Sequence, residues 1–96
     1  MHAAVRTYSG KGANELFDVL EKKKAEVERV LRGIKGFVSY SIVRTDSGGF
    51  TVSVFLDKTG VDESTRGAVD WNAKNVGSTS APPPTISEGA VIMHLK

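Results

Sequence analysis

The chain has 96 residues, of which 40% are hydrophobic and 25% charged, and a formal net charge of +2; this is the composition of one ordinary globular domain, not of a disordered chain or a strongly polyanion-binding one. It contains no cysteine, which excludes disulfides, thiol nucleophiles and cysteine-based metal sites. No segment approaches the roughly 18–20 apolar residues of a membrane span, and the first residues lack the apolar run of a secretory leader, so a cytoplasmic protein without a membrane partner is expected.

Residues Ala3 to Tyr8 read as a first strand, ended by the turn Ser9-Gly10-Lys11-Gly12. Asn14 can cap a following helix by accepting from a free amide of its first turn. Leu16, Leu20, Val27, Val30, Leu31 and Ile34 recur near helical spacing, so one helix of about five turns is expected to reach residue 33, with Lys23 and Lys24 interrupting its apolar stripe. Its remaining basic residues alternate with Glu21, Glu26 and Glu28, a pattern of a solvated face and not of a nucleic-acid surface. Gly33 and Gly36 end it.

Phe37 to Arg44 and Phe50 to Asp57 are rich in β-branched and aromatic residues, and Asp46-Ser47-Gly48-Gly49 between them supplies hairpin chemistry. Asp62 is the expected cap of a second helix running to Val76; Gly67 inside it costs about 1 kcal/mol relative to alanine and so suggests a close contact. Gly77 to Pro84 reads as an extended connection, and Ala90 to Leu95 as the last strand. The order strand, helix, strand, strand, helix, strand fits a ferredoxin-like α+β domain spanning residues 1–96, with a four-stranded antiparallel sheet and both helices on one face.

Period-two alternation divides each strand into two faces. Apolarity places Val5, Val38, Tyr40, Ile42, Phe50, Val52, Val54, Leu56, Val91, Met93 and Leu95 under the helices. Tyr8, Ser39, Ser41, Thr51, Ser53, Phe55 and His94 then fall on the open face, with Arg6, Ile92 and, by the same alternation, His2. A solvated sheet normally carries Lys and Glu, so a face nearly without charge implies a cover, and a second copy of the chain is the simplest one. On the second helix Ala68, Val69, Asn72, Ala73 and Val76 share a stripe with Trp71 on its flank; a buried Asn72 needs polar partners, in the sheet, in Tyr40 or in a ligand.

No complete catalytic, nucleotide or metal motif is present. His2 and His94 without a suitably placed carboxylate do not make a metal site, and neither a metal nor another cofactor is expected. The run Gly36-Phe37-Val38-Ser39-Tyr40-Ser41-Ile42, then Phe50 to Asp57, then Glu63-Ser64 with Ala68 and Trp71, resembles the dimeric α/β-barrel superfamily that includes antibiotic-biosynthesis-type monooxygenases. The resemblance implies a homodimer with sheets packed face to face and a pocket between sheet and helices near Tyr40, Trp71 and Asn72. It also implies a small, partly aromatic organic ligand, and an activity like that of cofactor-independent monooxygenases. A non-catalytic dimeric ligand-binding or structural module is the alternative; an RNA-binding module using Tyr8 and Phe55 as stacking rings is a third reading.

Overall fold

A computed structural model describes residues 1–75 and 83–96. Its elements are β1 (His2–Ser9), α1 (Ala13–Lys22), α2 (Lys24–Arg32), β2 (Phe37–Thr45), β3 (Gly48–Phe55), α3 (Lys58–Asn75) and β4 (Thr85–Ala90). All strand pairs are antiparallel, in the order β2-β3-β1-β4, which is the ferredoxin-like arrangement. Most of the expected Gly77–Pro84 connection lies outside the described residues.

The single long N-terminal helix is in fact two. Lys23 leaves helical geometry (φ −112°, ψ 29°) while its amide donates to Val19 O and its carbonyl accepts from Glu26 and Val27. Two consecutive lysines fall where the apolar stripe would continue, and the break keeps both exposed while Leu16, Leu20, Val27 and Leu31 stay buried. The N-cap of α1 is Gly12, at φ 87°, and Asn14 lies inside the helix. Likewise α3 begins four residues before Asp62: Asp57 Oδ1 accepts from the Gly60 amide, and Asp62 instead pairs with Lys58 at 3.1 Å.

Gly60 is where α3 touches the sheet most closely, since a Cβ there would stand 2.7 Å from the ring of the fully buried Phe55. At Gly67, the expected close contact, a Cβ would meet nothing within 4 Å. The buried side of α3 runs through Gly60, Val61 and Ser64, with Ala68, Trp71 and Asn72 half-buried further along, whereas Val69 is 64% exposed. Val76 lies outside the described residues.

The face assignment of β1 and β3 is the reverse of the expectation. The hairpin turns on two residues, Asp46 and Ser47, with Thr45 opposite Gly48, so Ile42 pairs with Thr51 and Tyr40 with Ser53. The expected faces set even-numbered residues of β2 beside even-numbered residues of β3, which only a turn with an odd number of residues allows; the two-residue turn pairs even with odd, and that one-residue slip exchanges the two faces of β3. Thr51, Ser53 and Phe55 therefore lie under the helices, with Ala4, Arg6 and Tyr8 beside them. Val38 is the extra residue of a β-bulge, which lets both Phe37 and Tyr40 pack on the core.

The outward face of the four strands consists of Ala3, Val5, Thr7, Ser39, Ser41, Val43, Phe50, Val52, Val54, Thr85, Ser87 and neighbouring small residues, without one charged side chain. Of the expected outward residues, Ser39 and Ser41 lie there; Tyr8, Thr51, Ser53 and Phe55 do not, being at most 7% exposed on the other side. Burial of Tyr8 and Phe55 also removes the stacking pair that an RNA-binding reading requires. His2 pairs with Phe55 and Ala90 on the helix side, and His94 follows the last strand. That strand ends at Ala90 and does not run from Ala90 to Leu95, so Met93 and Leu95 stand 73% and 83% exposed instead of packing on the core, and Ile92, expected on the open face, is 98% exposed beyond the sheet.

Candidate functional site

The chemistry of the interior begins at Arg6. Alternation along β1 puts it between Ala4 and Tyr8 under the helices, where only 3% of it is exposed. A guanidinium cannot escape burial by losing its proton, so its charge must be met by partners. Its Nη1 donates to Ser53 Oγ (3.1 Å) and its Nη2 to Ser64 Oγ (2.9 Å) and Thr65 Oγ1, while Nε has no partner among the described residues. Among those residues no carboxylate pairs with it either.

The α3 hydroxyls are held for this task. Ser64 and Thr65 both donate to the Val61 carbonyl, at 2.8 and 3.1 Å, which leaves their lone pairs as acceptors for the guanidinium. Ser64 is reached only because Gly60 lets the first turns of α3 settle on Phe55.

Around Arg6 lies a partly open cavity of about 50 Å³. Its sheet side is formed by Arg6, Tyr8, Tyr40 and Thr51, and its helix side by Leu16, Leu20, Val27, Val30, Leu31, Ile34, Ser64, Gly67, Ala68, Trp71 and Asn72. Tyr40, Trp71 and Asn72 thus line one space, and among the described residues Arg6 is the only charged one that lines it. Trp71 is oriented by its indole N–H, which donates to Glu26 Oε1 of α2 at 3.2 Å, and Asn75 caps the same turn by donating to Trp71 O. A shallower groove of about 320 Å³ lies on the far side of Val27, Leu31 and Tyr40, which wall both spaces.

Both tyrosines are held neutral. Burial pushes the Tyr8 phenol above its ordinary value, against the smaller opposing pull of the Arg6 charge and the Asn72 amide. The same holds for Tyr40, where burial outweighs the lowering by the neighbouring Thr51 hydroxyl and by Arg6. Thr51 Oγ1 faces Tyr40 without a fully aligned hydrogen bond, so it counts with Arg6 Nε among the buried polar atoms without a partner. A phenol moved away from neutrality is a hydrogen-bond donor, not a general base at physiological pH.

Arg6, Tyr8, Thr51 and Ser64 were not legible as site residues, because the expected register put the first three on the outer face. For the strand residues the parity of the turn is the signal: an even-length turn at Asp46-Ser47 sets Tyr40 opposite Ser53 and Ile42 opposite Thr51, and Arg6 and Tyr8 follow from the pairing of β1 with β3.

No family model matches the chain, and no curated protein is similar to it in sequence. Solved structures similar to it in fold include the following two. One is the NE2512 protein of unknown function from Nitrosomonas europaea, with a TM-score of 0.72 at 15% identity over 99% of this chain and 91% of that one. The other is a mutant of MhuD, crystallised with two manganese protoporphyrin IX molecules per active site, with a TM-score of 0.70 at 17% identity over 100% of this chain and 99% of that one. The chain shares their fold. At that level the resemblance read from the sequence is supported, and the ferredoxin-like architecture is the common ground.

Proposed function

We propose that this chain binds a small, partly aromatic organic molecule in the cavity between its sheet and its helices, as a homodimer whose outward sheet faces pack together. The observation that carries the reading is the cavity itself: apolar walls from α1 and α2, an aromatic side chain at Trp71, and donors from Arg6, Tyr8, Tyr40 and Asn72 converging on one space. Binding and orientation are the chemistry these groups support, in preference to acid–base catalysis, since burial moves both phenols away from neutrality. A monooxygenase-like reaction on an electron-rich ring remains the enzymatic extension of the same site.

A porphyrin ligand, as in the MhuD structure, does not fit the residues present. The only histidines of the sequence are His2 and His94, and neither is among the residues that line the cavity, so no axial imidazole is in place there. No cofactor-dependent step is derived for this chain.

Self-association is supported by the outward face, which has no charged side chain on any described strand, and by the exposed apolar residues Ile92, Met93 and Leu95 that follow β4. The solution mass at micromolar concentration should be that of two chains, and Val52→Lys, which adds a charge to that face, should yield one. A wild-type mass of one chain sinks the dimer.

For the ligand, Trp71 is the only tryptophan, so its fluorescence reads occupancy directly. Asn72→Ala should weaken binding of small aromatic probes while leaving the melting temperature close to wild type. Unchanged binding with lost stability would establish the non-catalytic structural reading instead.

A further inference from the structure

Resting on that ligand-binding reading, we infer that the ligand carries a carboxylate and that Arg6 is the residue that recognises it. Arg6 is a cation with neutral company. Three of the five N–H groups of its guanidinium go to the hydroxyls of Ser53, Ser64 and Thr65, and the Nε–H, fully buried, goes to none of the described residues. Hydroxyl dipoles offset part of the lost hydration but carry no opposite charge, and a guanidinium cannot shed its proton as a buried lysine or histidine would.

Arg6 lines the cavity, and no other charged side chain among the described residues does. An anion entering this space is therefore the counter-charge the interior can acquire, beside a guanidinium whose Nε–H has no partner among the described residues. The neutral phenols of Tyr8 and Tyr40 supply further O–H donors beside it, since burial keeps them protonated. A charge-assisted hydrogen bond from such a donor is about twice as strong as a neutral one.

Charge balance selects the class of anion. A carboxylate carries one negative charge and matches the single cation, whereas a phosphate monoester carries nearly two and would leave a surplus negative charge in an apolar enclosure. The rest of the lining, Leu16, Leu20, Leu31 and Trp71 among it, suits the hydrocarbon or aromatic part of an organic acid and not a free hydrated ion.

The test uses the wild-type chain and three kinds of probe: the sodium salts of acetate, benzoate and phenylacetate; the neutral isosteres benzamide and benzyl alcohol; and sodium chloride with inorganic phosphate. Trp71 fluorescence and the melting temperature are followed during titration, and the Arg6 Nε–H signal is followed by nitrogen-edited NMR. Benzoate or phenylacetate should bind about 10-fold or more tightly than the neutral isosteres, raise the melting temperature with the logarithm of concentration, and displace the Arg6 Nε–H resonance. Arg6→Met, which exchanges the guanidinium for an apolar chain, should equalise acids and isosteres. If that variant does not fold, the comparison of probes on the wild type decides alone.

Equal affinity for benzoate and benzyl alcohol overturns the role of Arg6 and leaves the ligand-binding reading standing. Chloride or phosphate as effective as benzoate overturns the choice of carboxylate. Failure of every probe to bind overturns both the carboxylate and the pocket.

Discussion

Gly67→Ala isolates the cavity from the packing around it. Gly67 lies in the interior of α3, where glycine is less favourable than alanine by about 1 kcal/mol because it loses more backbone freedom on folding. Ordinarily a buried glycine offsets that cost by permitting a close approach, but here an added Cβ would meet nothing within 4 Å, although the residue is half-buried and lines the cavity. The new methyl therefore enters empty space without displacing a neighbour, and nearly the whole propensity gain should appear as stability. For a domain of this size about 1 kcal/mol corresponds to a rise of roughly 4–8 °C in melting temperature. Thermal unfolding followed by far-ultraviolet circular dichroism, with a urea midpoint at constant temperature as a second measure, reads it directly. An unchanged or lowered melting point would mean that another group fills the space beside Gly67, and the geometry of the cavity would be refuted with it.

The same substitution seven residues earlier should have the opposite sign: Gly60→Ala brings a Cβ to 2.7 Å from the ring of Phe55, and overpacking of this kind costs about 1–3 kcal/mol, more than the helix gains. A Gly60→Ala variant as stable as wild type would contradict the seating of α3 on the sheet. The chain has two tyrosines and both line the cavity, so its phenolate absorbance reports the site alone; the step should lie above the ordinary value of 10.0. Because the folded-state pKa is raised, the stabilising effect of the protonated phenols is complete below pH 10.0 and is lost as pH rises from there through the folded-state value. A tyrosine titrating at or below its ordinary pKa in the folded chain would show that burial is not the dominant influence.

Element order was legible in the sequence because each signal was local: β-branched runs, glycine punctuation and helical spacing of leucines. Three features were not, and each has a physical reason. Lys23 is compatible with a helix by propensity, and its departure from helical geometry depends on keeping two adjacent lysines in water while Leu20 and Val27 stay covered. The start of α3 was hidden by Gly60, which reads as a breaker but serves as the contact with Phe55. The faces of β1 and β3 were exchanged because apolarity is a poor guide when both sides of a sheet require cover. Phe50, Val52 and Val54 are more apolar than Thr51 and Ser53, yet the hydroxyls are inside because Arg6 is inside. Tyr40, Trp71 and Asn72 line one space, and β2 and α3 kept their inward residues through these errors.

The divided N-terminal helix governs how anything could enter. About 50 Å³ holds only a few water molecules, so an aromatic acid cannot occupy the inner space without moving the partition of Val27, Leu31 and Tyr40 that separates it from the outer groove of about 320 Å³. Val27 and Leu31 belong to α2, which is set off from α1 by the non-helical Lys23 and tied to α3 by hydrogen bonds between Glu26 and Trp71 and between Lys23 and Asn75. Association timed by that partition should show an apparent rate that levels off with rising ligand concentration, and an affinity reduced by the fraction of time the two spaces are joined.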